Sequence, residues 1–271
     1  MTTKLPPPYR SRTVIVLVAI AIVVAAAALY LSLTRRDGGD GATSTSPMPP
    51  IASTRPSGAT STGSAGPPGS NGFAYQPLWP FAGAADAAAW QQAYRAGGHQ
   101  PWHLDAGTIA VMFAQQYLGY GNVDKAVKSD VRPEESWVSV GFDAPDGRPV
   151  TAAVLHLVRI GSGTDAPWEV VGSEDSTLTL TEPVYGATIR SPVNVGGRVS
   201  GVDESLRVRL RQLDAAQPAG EVSGIPAGGI DTPWRTTVPF TATCPGTLTL
   251  AVSTGGHVAD VERFAVTGVR C

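Results

Sequence analysis

The chain has 271 residues and a formal net charge of −2, and only 15% of its residues are charged. A balance so close to zero argues against a nucleic-acid backbone as the main partner. The two cysteines are too few for a multi-disulfide scaffold or a four-thiolate zinc site. The length allows one large or two modest domains.

The first feature in chain order is an uncharged apolar run over residues 14–33. About 20 helical residues span the roughly 30 Å hydrocarbon core of a bilayer. Because Leu29, Tyr30 and Leu31 carry the run past the alanines at 25–28, we predict an uncleaved signal anchor. Cleavage after those alanines is the alternative.

The orientation of this span follows from what flanks it. Three basic residues precede the span and two follow it closely: Lys4, Arg10 and Arg12, then Arg35 and Arg36. Since long domains are exported largely regardless of this small bias, residues 1–13 are predicted to be a cytoplasmic head and the body to be extracytoplasmic. The abundant Ala, Gly and Arg suggest a bacterial source, which places the anchor in a bacterial plasma membrane.

Residues 34–72 are mostly Gly, Ser, Thr, Pro and Ala. Such a composition has too little apolar surface to offset chain entropy, so it predicts a disordered linker with a root-mean-square span of about 30 to 35 Å. An O-glycosylated stalk is the alternative.

Residues 73–179 predict an α+β domain. Strong helix formers at 84–96 end at Gly97, and Asp105 is at the N-cap position of a second helix that runs to Leu118. A three-strand antiparallel meander follows, at residues 137–142, 150–160 and 168–172. Residues 73–180 contain six basic and twelve acidic residues, a net charge of −6.

Residues 180–271 predict an all-β sandwich, because short strands alternate with Gly, Pro and Asp. The predicted strands lie at residues 189–195, 206–210, 236–243, 247–253 and 261–269. From residue 181 onward the basic and acidic residues balance at eight each.

The opening of this block, residues 182–197 (EPVYGATIRSPVNVGG), resembles the immunoglobulin-like domain of bacterial spore-germination and sporulation-associated envelope proteins. Strands like 206–210, 234–240 and 246–252 follow in that family, although Val202-Asp203-Glu204 stands where the family has Phe-Glu. The resemblance implies an extracytoplasmic, non-catalytic immunoglobulin-like sandwich over residues 180–271.

Cys244 and Cys271 are the only cysteines. Disulfides persist in an exported body, so we predict a bridge between them, with two free thiols as the alternative. The bridge would close a loop of about 27 residues and contribute on the order of 3 kcal/mol in the chain-entropy model.

Signatures of catalysis or cofactor binding are weak. The sequence has no nucleophile elbow, phosphate loop or dinucleotide fingerprint, and we predict no cofactor. His99, His103 and Asp105 have a metal-like spacing, but Gly97-Gly98 and Pro101 break any helix that would align them, which favours ordinary loop histidines. His156 shares a strand face with Val154 and Val158 and is read as a core or edge residue.

Acidic pairs provide the alternative enzymatic hypothesis, since cell-wall hydrolases use two carboxylates. The pairs are Glu134-Glu135, Glu174-Asp175 and Asp203-Glu204. They fall in predicted loops, which favours solvated turns.

Two features are candidate binding surfaces. Arg207, Arg209 and Arg211 alternate with apolar residues, so they share one strand face. This face either binds a phosphate-bearing polymer, lipid headgroups or the acidic block, or is simply a soluble outer face.

Aromatic residues concentrate in the first block, where they form either core or a sugar- or peptide-binding groove: Tyr75, Trp79, Phe81, Trp90, Trp102 and Trp137.

These patterns predict a single-pass bacterial envelope protein with a non-catalytic binding or scaffolding role. Its expected partners are the membrane, through residues 14–33, and an envelope protein or cell-wall component, and not nucleic acid. The alternative is a cell-wall hydrolase that uses paired carboxylates in residues 73–179.

Overall fold

The computed structural model describes residues 73–201, 205–256 and 258–271, which belong to one compact unit, Ser64–Cys271. The predicted cytoplasmic head, the span at 14–33 and the linker at 34–72 lie outside the described residues. Within those three described ranges, no helix is long and apolar enough to cross a membrane. The described chain is mostly antiparallel β-sheet with two α-helices.

The helices are those that the capping signals predict. Helix α1 (Ala84–Gly97) ends at Gly98, which has a left-handed φ of 68° and donates its N–H to the Tyr94 carbonyl, a geometry that glycine adopts at little cost. Helix α2 (Ala106–Met112) follows a 3₁₀ turn, Pro101–Leu104, and the Asp105 carboxylate accepts the Thr108 N–H at 2.6 Å, which confirms the predicted N-cap.

The second helix is shorter than predicted. From Phe113 to Tyr117 the backbone widens into a π-helical turn, in which the Leu118 N–H bonds to the Phe113 carbonyl five residues back. The extra residue in this turn keeps Phe113, Ala114 and Tyr117 all buried against the sheet.

The first sheet has four strands where the sequence predicted three. Its order is β1 (Lys125–Val131), β2 (Glu135–Asp143), β3 (Pro149–Arg159) and β4 (Trp168–Ser173), all antiparallel. The prediction missed β1 because this edge strand is mostly exposed and carries charged residues instead of an apolar alternation.

The second half forms two further sheets. Strands β5 (Val193–Val199) and β8 (Thr232–Val238) pair with each other, and a four-stranded sheet has the order β10-β9-β6-β7. The members of the larger sheet are β6 (Ser205–Arg211), β7 (Gly220–Pro226), β9 (Thr247–Thr254) and β10 (Arg263–Arg270). The sequence prediction missed β7, whose glycines and proline interrupt the strand pattern, and placed β5 and β8 a few residues away from their observed bounds.

Of three buried apolar clusters in the described residues, the two larger ones hold the sheets together. One lies between the β5–β8 pair and the larger sheet and contains Leu178, Trp234 and Leu250. The other begins with Phe113 and Trp168 in the first half and continues into the second half, ending in a group of β9, β10 and loop residues: Ala251, Val261, Phe264 and Val266. The residues on either side of position 180 therefore bury a common apolar interior.

Buried polar contacts reinforce this shared interior. The Tyr117 hydroxyl donates to Thr249 Oγ1 at 3.0 Å. The Asn122 side chain accepts the Val261 N–H at 3.2 Å and donates to the Val261 carbonyl at 2.8 Å. Such hydrogen bonds satisfy polar groups that would otherwise be costly to bury.

The two cysteines meet as predicted. The sulfur atoms of Cys244 and Cys271 are 2.09 Å apart and the Cα atoms 5.4 Å apart, at disulfide distance, across a sequence separation of 27 residues. Backbone hydrogen bonds between Cys271 and Gly246 hold the C-terminus in the same place.

Candidate functional site

A cleft of about 460 Å³ opens between the edge strands of two sheets. Its floor is formed by residues 171–173 of β4 and residues 265–267 of β10. We call it the seam cleft; its remaining walls are Tyr75, His156, Asp175, Leu180, Thr181, Val184 and Tyr185. The volume lies within the range typical of small-ligand sites.

One wall of the seam cleft is supplied by the strap, which we define as residues 73–81. The strap is attached at several places along its length. The Tyr75 hydroxyl donates to Glu135 Oε1 at 3.1 Å, the Gln76 N–H donates to the Tyr185 hydroxyl at 2.6 Å, and Trp79 pairs with Val170 at the edge of β4. The strap therefore fixes both tyrosines that line the cleft.

His156 is the one imidazole in the cleft. Its ring stacks on Trp137 with a centroid distance of 4.9 Å and meets the edge of Tyr75 at 5.6 Å. Burial lowers the pKa of His156, and the Glu135 and Glu174 carboxylates oppose that shift only in part. The ring therefore stays neutral at pH 7, and its placement on a strand face at the edge of the core agrees with the sequence prediction.

Ser173 is the serine that lines the seam cleft, and its hydroxyl is already occupied. Its oxygen accepts the Val266 N–H at 2.9 Å and donates to the Val266 carbonyl at 3.3 Å. This side chain joins β4 to β10, because it bonds both backbone groups of Val266.

One carboxylate lines the seam cleft and two others lie near its lining residues Tyr75 and His156. Asp175 lines it, Glu135 contacts Tyr75, and Glu174 precedes Asp175. In the described ranges, no Lys, Arg or His nitrogen lies within 4 Å of the Glu174 or Asp175 carboxylate. None of the lining residues is Lys or Arg, and Asp175 is the one carboxylate among them.

The predicted arginine face lies elsewhere, on β6, and it is largely occupied. Arg207 pairs with Glu221 at 2.8 Å across to β7. Arg209 lies over the Tyr120 ring at 4.9 Å, and Arg211 lies over Tyr117 at 5.2 Å. The three arginines do share one strand face, opposite the buried leucines and valine, but two of them pack on the acidic first half.

Most of the aromatic residues singled out from the sequence form a packed cluster instead of a groove. Phe81 and Trp90 are buried, and Trp79 stacks on Trp102 at 6.0 Å. Trp137 stacks on His156, which leaves Tyr75 as the member that lines the cleft.

His103 lies inside this aromatic cluster. Its ring is 3.7 Å from Trp102 and 5.0 Å from Trp90, and burial lowers its pKa to about 4. Asp105, its partner in the metal-like spacing, is used as the helix cap, and His99 is exposed on the preceding loop. Within the described ranges, no three His, Cys, Asp or Glu side chains are placed to hold a metal ion.

Glu169 is a second buried titratable group that sequence reasoning did not identify. It is fully buried in β4, and its Oε2 accepts the Phe81 N–H of the strap at 3.0 Å. Desolvation raises the pKa of Glu169 well above its usual value, although hydrogen bonds from strap N–H groups lower this pKa in part. Glu169 does not line the seam cleft.

Comparison with protein-family models, curated proteins and solved structures found no match to this chain.

Proposed function

We propose that the chain is a non-catalytic binding protein of a bacterial envelope, anchored by residues 14–33 with its N-terminus in the cytoplasm and its body outside. The seam cleft is its ligand site, and its partner is an envelope protein or wall component. The observation that carries this proposal is a cleft lined by Tyr75, Tyr185 and Asp175 whose serine is already hydrogen-bonded to backbone.

The topology of the second half supports an immunoglobulin-like sandwich in this proposal. The order β10-β9-β6-β7 opposes the β5–β8 pair, and residues 178 and 182 bridge to β5 on its other side. In the proposed immunoglobulin-like sandwich these strands would be the G-F-C-C′ sheet and the A-B-E sheet. The cysteine pair at disulfide distance fits an oxidising, extracytoplasmic compartment.

The hydrolase hypothesis has less support. A carboxyl that acts as general acid needs a raised pKa and access to substrate. Glu169 has the raised pKa, but it is fully buried beneath the strap. Glu134 and Asp175 are exposed, Glu135 accepts a hydrogen bond from Tyr75, and the pair at 203–204 lies outside the described residues.

Site-directed photo-crosslinking in living cells tests the proposal. A photoreactive amino acid at Val184, which is 70% exposed on the rim of the cleft, is expected to form one discrete adduct. The matched control is Ile230, which is 90% exposed in the β7–β8 loop, where Asp231 bonds to Ser200 at the far end of β5. Position 230 is expected to give no such adduct.

The same cells also test on which side of the membrane the body lies. Protease added to intact spheroplasts is expected to digest the body and its adduct, and thiol alkylation before lysis is expected to find Cys244 and Cys271 unreactive. Equal adducts from positions 184 and 230, or none from 184, would count against the cleft as the binding site. Survival of residues 73–271 in protease would overturn the outward orientation.

A further inference from the structure

We propose that the strap is a latch beside the seam cleft, held closed while the Glu169 side chain is a neutral carboxylic acid and released when Glu169 ionises. Release would free the cleft wall that contains Tyr75 and the contact that fixes Tyr185. Three features lead to this device: how the strap is seated, what lies beneath it and which charges face Glu169.

The strap is seated on the edge strands of both larger sheets. Against β4, the Leu78 N–H donates to the Val170 carbonyl at 3.0 Å, and the Val170 N–H donates to the Trp79 carbonyl at 2.9 Å. Against β10, the strap passes so close to Gly268 that a Cβ atom there would lie 2.6 Å from the Cβ of Gln76. An edge segment held by so short a ladder can open locally while the sheets beneath it stay folded.

Glu169 lies beneath the strap without a positively charged partner. Its side chain is fully buried, and Oε2 accepts the Phe81 N–H at 3.0 Å. The other oxygen, Oε1, has no hydrogen-bond partner, and in the described ranges no Lys, Arg or His nitrogen lies within 4 Å of this carboxyl. A buried charge with so little compensation is costly, whereas the neutral acid costs much less. Ionisation therefore favours an open strap, because water then reaches the carboxylate.

Asp86 of α1 is the charged group that acts on Glu169. Its carboxylate accepts the Ala82 N–H, just after the strap, at 3.1 Å. Its negative charge adds to the desolvation that raises the pKa of Glu169. Ionisation of Glu169 would therefore place a second carboxylate near the end of the strap, and an open strap lets water screen the two charges.

The other titratable side chains around this site are neutral at pH 7: Tyr117, Tyr185 and His103. Burial raises the pKa of each tyrosine to about 12. Burial lowers the pKa of His103, whose ring lies 4.8 Å from that of Phe81, to about 4. None of these groups carries a positive charge that would hold an ionised Glu169 in place.

Amide hydrogen exchange of the purified full chain in detergent, without ligand, tests the latch. At each pH, the opening constant of the Leu78 and Phe81 amides is compared between the wild type and Glu169→Gln, whose amide has the same shape but no charge. The wild-type constant divided by that of the variant is expected to rise about tenfold per pH unit above about pH 5, until Glu169 ionises in place, because an exposed glutamate titrates near 4.5. Asp86 and His103 are present in both proteins, so their titration cancels in this ratio.

Two further variants and a second region make the test specific. Glu169→Met, which also cannot ionise, should give the same rising ratio. Glu221→Gln, the same chemical change beside Arg207 on β7, is the matched control and should behave as the wild type. The strap amides should also exchange faster than the amides at residues 248–252 in β9, since the latch opens while that sheet stays folded.

The outcomes separate the latch from the proposed function, because no ligand is present in the exchange experiment. A ratio that stays constant with pH would overturn the latch. Equal exchange in the strap and in β9 would also overturn it, since the strap would then open only when the whole body unfolds. If strap opening depends on Glu169 but Val184 forms no adduct, the latch stands and the binding role fails. An adduct at Val184 with a constant ratio leaves the binding role and removes the latch.

Discussion

Replacing His103 with phenylalanine is expected to protect the protein against acid. Relative to the wild type, His103→Phe should gain about 3 kcal/mol in free energy of unfolding as the pH falls from 6.5 to 4. In the folded protein, burial lowers the pKa of His103 to about 4, whereas the unfolded chain titrates near 6.5. Between these values the unfolded state binds the extra proton, so the wild type loses stability as the pH falls.

Phenylalanine is the informative substitution because it retains a ring between Trp102 and Phe81 and cannot titrate. Urea denaturation at a series of pH values measures the effect. His99→Phe on the exposed neighbouring loop is the matched control for the exchange of an imidazole for a phenyl ring. An identical pH profile for His103→Phe and the wild type would contradict the buried, neutral imidazole.

Glu169 should show the opposite sign in the same experiment. Its folded-state pKa is raised, so the folded protein holds the proton more tightly and stability falls as the pH rises above about 4.5. Glu169→Gln, which keeps the shape and cannot ionise, should therefore gain stability relative to the wild type as the pH rises. Between pH 4.5 and 6.5 the two groups oppose each other, so the wild-type profile should be flatter than that of either variant.

Truncating Phe264 should destabilise both halves of the body together. Phe264→Ala is expected to lower the free energy of unfolding by about 3 to 5 kcal/mol, since this residue is 1% exposed and its ring centroid lies 5.1 Å from that of Tyr120. Phe264 lies on β10, but its core includes Phe113 and Trp168 from the first half. One cooperative transition should therefore appear in both circular dichroism and tryptophan fluorescence.

The tryptophans make this test specific, because five of the six lie before residue 180 and only Trp234 lies after it. Val258→Ala, in the exposed loop between β9 and β10, is the control and should change the free energy of unfolding by less than about 0.5 kcal/mol. Two separate transitions, with tryptophan fluorescence unaffected by Phe264→Ala, would show that the halves unfold independently.

Local patterns in the sequence predicted local structure well. Asp105 caps its helix, the first helix ends at Gly97, and the arginines of β6 alternate with buried residues. Each of these features depends on neighbours within a few positions along the chain, so periodicity and turn chemistry are sufficient to find it.

The candidate site depends on contacts that no local pattern encodes. Tyr75 meets Glu135 across 60 positions, and Gln76 meets Tyr185 across 109. Alternation places Arg209 and Arg211 on one face but does not reveal that tyrosines of the first half cover them. The one sequence signal toward the site was the aromatic Tyr75 beside an acidic block.

Ligand binding at the seam cleft is tested most directly by amide hydrogen exchange of the full chain, compared between the free protein and the purified adduct crosslinked at position 184. We expect slower exchange at residues 171–173 and 265–267 on binding, with little change at residues 205–211. Protection confined to the arginine strand, or to the loop around Ile230, would contradict the claim.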